Sequence, residues 1–240
     1  MIRADLHIHS CLSPCGDLSM SPSLIARRSA ALGLDLIALT DHNSALNAPA
    51  FAEACRREGL AALFGLEVCT REEAHVLAIF AAPEAALALG EKLYALLPAA
   101  ANDPERLGDQ VYVNEREEIL GTVDKQLGSA CSASLEEIEK WVLDAGGLFI
   151  PSHVDRPFFS IPSQLGFLPP LRYSALEALR RPGPAELRAW RAPEGVPLVA
   201  SSDAHYPADL GRRRIELNGP SAGFEALRRA LAGGELRACF

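Results

Sequence analysis

Asp5-Leu6-His7-Ile8-His9-Ser10 is the stretch from which the rest of this 240-residue chain is understood. Ile2, Leu6 and Ile8 carry the apolar signal of a buried strand, and His7 and His9 stand two residues apart. Side chains two apart on a strand point to the same face. Two imidazoles side by side at a strand end suit a divalent metal, although an isolated H-x-H also occurs as an ordinary pair of core or surface histidines.

Outward from this stretch, strand and helix signals alternate. Ser19 or Ser21 can cap a helix that Pro22 opens and Gly33 stops, and Leu34 to Leu39 is an apolar strand ending in Thr40-Asp41-His42-Asn43. A helix follows over 49–58, then strand regions over 60–68 and 75–80, the first carrying Glu67 near its end and the second opening on His75. Pro83 to Leu97 is an Ala/Leu-rich helix. Residues 102–128 break the rhythm, and their few apolar residues make them an insertion within a single 1–240 domain. Ser134 with Glu137 has the spacing of a capping box, and strand 148–152 leads to His153. Residues 157–170 are Pro-rich and expected to be loop. Short strands are expected at 174–178 and 197–200, the latter running into Ser201-Ser202-Asp203-Ala204-His205, with helices at 184–191 and 221–231 and strands at 214–217 and 236–240. This order predicts an α/β fold with a mostly parallel sheet.

All six histidines (His7, His9, His42, His75, His153, His205) fall at strand ends or beginnings and none on a predicted helix. Asp5, Asp17, Asp41, Glu67, Asp155 and Asp203 accompany them. Donors gathered at successive strand tips form a barrel-rim arrangement, and mixed imidazole and carboxylate sets suit Zn, Mn or Fe(II).

The ordered series Asp-Leu-His-Ile-His-Ser, Thr-Asp-His-Asn, Gly-Leu-Glu-Val, His-Val-Leu, Ser-His-Val and Ser-Asp-Ala-His resembles the polymerase and histidinol phosphatase (PHP) superfamily from Asp5 to His205. The resemblance implies a distorted (β/α)7 barrel with the site at the C-terminal ends of the strands, three divalent metal ions (Zn, Mn or Fe), and phosphoester hydrolysis. Carried over by position, it puts one ion on His7, His9, Glu67 and Asp203. A second shares Glu67 and adds His75 and His153. The third takes His42 and His205 plus a residue of the loop after the first strand. There the sequence departs from the commoner pattern, because Cys15 stands where His or Asp is usual; Asp17, two residues on, is preferred as the harder donor. Arg156 is the candidate contact to a substrate phosphate, by bidentate hydrogen bonds. Asp41, just before His42, is a candidate supporting group behind the imidazoles.

The implied reaction is hydrolysis of a small-molecule phosphomonoester by a metal-activated hydroxide. No serine sits in a G-x-S-x-G elbow. The net charge of −8, with few aromatic residues, disfavours nucleic acid as partner, although three divalent ions would offset most of that charge at the site itself. A phosphodiesterase or exonuclease is the alternative, and a non-catalytic metal-binding module a further one. Amidohydrolases also open on H-x-H, but their binuclear members commonly need a strand-end lysine, and Lys92, Lys125 and Lys140 fall in helices or the insertion. The chain opens directly on a strand, has no apolar run of spanning length, and carries six cysteines expected as thiols. A cytoplasmic location with no membrane contact is therefore expected.

Overall fold

In the computed structural model, which covers residues 1–240, the opening stretch forms β1 (Ile2–Ile8) within a seven-stranded sheet. Helix α1 (Pro22–Ala31) follows, capped by the Ser21 hydroxyl, which accepts the Leu24 amide N–H. Then come β2 (Leu36–Leu39), α2 (Ala48–Glu58), β3 (Ala61–Cys69), β4 (His75–Phe80) and α3 (Pro83–Leu96). The segment expected as an insertion holds α4 (Pro104–Leu107) and a hairpin of β5 (Val111–Val113) and β6 (Ile119–Thr122). Ser134 and Glu137 form the expected capping box at the head of α5 (Leu135–Asp144), which leads to β7 (Leu148–Pro151). The stretch 157–170 is not all loop: Ser160 and Ser163 cap a short helix, α6 (Ile161–Leu165). The chain closes with β8 (Leu176–Glu177), α7 (Pro184–Ala189), β9 (Leu198–Val199), β10 (Arg214–Leu217), α8 (Phe224–Gly233) and β11 (Leu236–Cys239).

The sheet order is β11-β10-β1-β2-β3-β4-β7. Only β1–β2 and β2–β3 pair in parallel within it, which corrects the expectation of a mostly parallel sheet. The turn from Cys69 to His75 is too short to carry a crossover, so β4 returns antiparallel to β3. The reversal is useful, because it brings His75, the first residue of β4, to the end of the sheet where β1 and β2 finish. The sheet curls, and the parallel pair β8–β9 lies between its two edges, β8 beside β7 and β9 beside β11. The result is a distorted barrel.

Two apolar clusters lie on the two faces of this sheet. One contains Ile2, Ala4, Leu6, Leu36, Ala38, Leu77 and Ile79 with Leu227 and Leu231 of α8. The other contains Ile37, Leu39, Leu66, Val76 and Ala78 with Ile25, Phe51, Leu93 and Ile138 of the outer helices. Alternation along β2 and β4 follows the period of two. In β1 it breaks: Leu6 and Ile8 join different clusters, and the β1–β2 register shifts between Asp5 and Ile8. Residues 102–128 lie against the rest of the chain. The Val111 amide donates to the Cys11 carbonyl at 2.9 Å, Val113 to the Asn47 side chain at 2.9 Å, and Gly108 packs tightly on the Pro14 carbonyl.

Candidate metal centre

One end of the barrel gathers the donors. β1 delivers His7 and His9, the tip of β2 delivers His42, and the C-terminal half of β3 delivers Glu67. β4 delivers His75, the residue after Ser152 is His153, and the turn beyond β9 carries Asp203 and His205. Bridges between Ile8 and Ala204 and between His42 and Glu67 tie the tips together. His7, His9, His42, Glu67, His75, His153 and Asp203 are all buried. The imidazoles form a ring, with His9 stacked on His205 at a centroid distance of 4.2 Å and His42 edge-on to His75 at 5.1 Å.

Hydrogen bonds on the outer side of this ring fix which nitrogens face inward. His7 Nδ1 lies 3.0 and 3.2 Å from the two oxygens of Glu177, which only accept, so Nδ1 carries a proton and Nε2 is the nitrogen turned inward. Ser13 Oγ donates to Asp41 Oδ1 at 2.7 Å, and so must accept from His9 Nδ1–H at 2.9 Å, as it does from the His42 amide at 3.1 Å. The inward nitrogen of His9 is therefore also Nε2. The two Nε2 atoms stand 3.0 Å apart. Glu67 Oε2 lies 3.3 Å from both, and Asp203 Oδ1 lies 3.4 and 3.5 Å from them. Two imidazole nitrogens and two carboxylate oxygens converge, a gathering that calls for positive charge between them, either protons on the imidazoles or a metal cation in their place.

The remaining donors tell the same story. Glu67 Oε1 lies 3.1 Å from both His75 Nδ1 and His153 Nε2. Buried Nδ1 atoms of His42 and His75 and Oδ1 of Asp203 have no hydrogen-bond partner, a costly condition unless an ion meets them. His205 donates Nδ1–H to the Asp203 carbonyl at 2.9 Å, leaving its Nε2 free. Burial works against charge on His7, yet Glu177, Glu67 and Asp203 hold its pKa well above the usual histidine value. Carboxylates that would draw a proton onto His7 are the same ones that would draw a divalent ion, with release of that proton. Burial pushes His42 well below the usual value and His205 down to about 4, with the charge of His9 adding to both. Neutral imidazole is the form that ligates. His153 and Asp203 have φ of 31° and 51°, left-handed backbone that non-glycine residues adopt at a cost of about 1–3 kcal/mol each.

Three donor sets emerge: His7, His9, Glu67 and Asp203; His42, Glu67 and His75, with His153 also on Glu67; and His9, Cys15, His42 and His205. Asp17 is not brought to the third set. Its carboxylate accepts from Ser19 N at 2.9 Å and Ser19 Oγ at 2.6 Å, and Cys15 stands at the cluster instead. Arg156, partly exposed, donates Nη1–H to Asp203 Oδ2 at 3.1 Å. Asp41 is buried, bound to Ser10 and Ser13, and reaches His9 only through Ser13. Glu177 and Ser13 are supporting residues that the sequence reading missed. For Glu177 a signal existed, a carboxylate inside the apolar run Ser174 to Ala178, whereas Ser13 offered none. All three lysines are engaged elsewhere: Lys92 over Trp141, Lys125 on the Tyr94 and Leu97 carbonyls, Lys140 with Asp144.

The family model described as PHP domain matches residues 5–138, more than half of the chain. The chain belongs to the PHP domain family. A second model, described as PHP-associated, matches residues 188–236 of this PHP protein. Endonuclease Q from Pyrococcus furiosus, a lesion-specific endonuclease, superimposes with a TM-score of 0.68 at 21% identity, covering 99% of this chain and 57% of that one. A protein from Bifidobacterium adolescentis, designated a metal-dependent phosphoesterase, gives 0.59 at 19% identity over 96% of this chain and 95% of its own. An amidohydrolase from Chromobacterium violaceum gives 0.57 at 20% identity, covering 98% and 97%. At these identities the likeness is one of fold. In sequence, the error-prone DNA polymerase of Nocardia farcinica is 40% identical over 65 residues, which are 27% of this PHP chain and 6% of the polymerase. The chain thus spans little of that polymerase and just over half of endonuclease Q.

Proposed function

We propose that this PHP protein is a metal-dependent hydrolase of phosphoester bonds acting on a small phosphomonoester, with three divalent ions held by the donor sets above. The observation that carries the metal reading is the facing pair of His7 and His9 Nε2 atoms, 3.0 Å apart, with Glu67 and Asp203 oxygens beside both. When bound, the ions supply charge neutralisation for phosphate oxygens and a lowered pKa for water. The chain's own residues do the rest. Glu177 and the Asp41–Ser13 pair hold the inward faces of His7 and His9 in one tautomer. Arg156, anchored on Asp203, has further N–H groups to direct at a phosphate oxygen. We take residues 1–240 as one domain, with 102–128 an insertion that braces the loop after β1. No helix is long and apolar enough to cross a membrane, and six free cysteines favour a reducing, cytoplasmic setting.

The stretch identical in part to a DNA polymerase supports a second reading, phosphodiester cleavage in nucleic acid. A net charge of −8 opposes it, because phosphate neutralisation draws on a basic surface. The deciding experiment is hydrolysis of an aryl phosphomonoester against the matching diester with added Mn²⁺, with His42→Ala as control. Faster monoester turnover that the variant loses supports the first reading. Preference for the diester supports the second. No turnover of either substrate by metal-loaded protein would overturn the catalytic reading.

A further inference from the structure

We propose that Cys15 is a thiolate ligand of the third metal position and makes that position select zinc, so that one cluster combines two hard sites with a softer one. The inference rests on the metal-binding part of the function proposed above and goes beyond it in naming a donor and an ion.

Sγ of Cys15 lies with the donor atoms of His9, His42 and His205, all within 4.8 Å of one another. His9 Nε2 already faces the first set, which leaves Cys15 and His205 for the third, with His42 standing between it and the second. His205 has its Nδ1–H occupied by the Asp203 carbonyl, so Nε2 is its free donor. His42 Nδ1 is buried, makes no hydrogen bond and lies 3.4 Å from Glu67 Oε2, at the border of the second set. Cys15 is unpaired, and the nearest cysteine in sequence, Cys11, is turned away towards the Val111 carbonyl at 3.7 Å.

The loop holds Cys15 there by its backbone. Ser13 N–H donates to the Ser10 carbonyl at 3.1 Å, Gly16 N–H to the Ser13 carbonyl at 2.9 Å, and Asp17 N–H to the His205 carbonyl at 2.9 Å. Gly16 is needed for this path, since a Cβ there would collide with the Ser10 carbonyl oxygen. The same path carries the Asp17 side chain out to Ser19. Bringing Asp17 inward would break both of its Ser19 hydrogen bonds, while Cys15 needs no rearrangement.

Two imidazoles and a thiolate form a softer donor set than the carboxylate-rich groups around Glu67, and zinc is the divalent ion such sets favour over manganese. On binding, the S–H bond breaks, a sulfur–metal bond forms, and the proton passes to solvent. No oxidant or reductant is involved.

The test uses the full chain stripped with a chelator and titrated with Co²⁺ as spectroscopic probe. A near-ultraviolet thiolate-to-cobalt charge-transfer band is expected, and Cys15→Ser should lose both the band and one equivalent of bound metal. Cys15→Asp should regain the equivalent without the band and with its preference for Zn²⁺ over Mn²⁺ reduced. In case the variants fold poorly, wild-type protein is alkylated with iodoacetamide with and without Zn²⁺ and the labelled peptides mapped. Zinc should protect Cys15. Cobalt binding without the band, a band that survives in Cys15→Ser, or equal labelling of Cys15 in both conditions would overturn the proposal while leaving the hydrolase reading intact. Failure to bind cobalt at all would remove both.

Discussion

Glu177→Gln isolates the contribution of a single buried negative charge. The carboxylate touches His7 Nδ1 through both oxygens and accepts the His153 amide N–H at 3.0 Å. A glutamine fits the same space, and its oxygen in the Oε2 position would still serve both donors. What disappears is charge. A hydrogen bond to a charged group contributes about 1.5–3 kcal/mol and a neutral one about 0.5–1.5, so the loss at His7 is about 1–1.5 kcal/mol. That corresponds to ~10-fold weaker metal binding, at the lower end of the ~10–100-fold range for groups that orient metal-ligating histidines. In the metal-free protein the change removes both the attraction to protonated His7 and the repulsion with Glu67 and Asp203, so stability should fall by less than the binding free energy. Competition against a chromophoric chelator measures the affinity, and urea unfolding of the stripped protein measures the stability. Wild-type affinity in the variant would refute the role of Glu177. So would a loss of affinity matched by an equal loss of metal-free stability.

Two further outcomes follow from the same structure. Chelation should lower the unfolding temperature: one ion at 100 times its dissociation constant contributes ~2.7 kcal/mol, and at ~2–4 °C per kcal/mol for a chain of this size the drop should exceed ~5 °C, as scanning calorimetry with and without chelator would record. Away from the site, Arg172 donates to Glu139 from its backbone and guanidinium and holds that carboxyl below the usual range. A depressed folded-state pKa contributes stability above the unfolded value of ~4.3 that is lost as pH falls through the folded value. The stability gap between wild type and Glu139→Gln should therefore be constant near neutrality and shrink on acidification below ~4.3 in urea titrations; a gap that stays flat at acid pH would refute the linkage.

Much of this was legible because metal-type side chains at strand tips contrast sharply with apolar strands. His7, His9, His42, Glu67, His75, His153, Asp203 and His205 all meet at one end of the barrel. The direction of β4 was not legible, since a strand's apolar run says nothing of its polarity in the sheet; only the shortness of the Cys69-to-His75 turn carried that information. The sequence favours Asp17 on donor hardness, whereas the choice depends on a backbone path set by Gly16 against Ser10, a contact that no spacing rule encodes. Glu177 belongs to a two-residue strand lying between the sheet's edges, so its meeting with His7, 170 residues away, depends on closure of the whole barrel.

The left-handed backbones of His153 and Asp203 set stability and chemistry against each other. Glycine adopts this conformation freely, so replacing either residue would relax the chain while deleting a donor. In a library selected for thermal tolerance alone, these two positions are where glycine would be enriched, and the best-folded survivors would be the inert ones. Breeding a hardier form of this protein therefore calls for a screen that rewards turnover or metal retention alongside heat resistance.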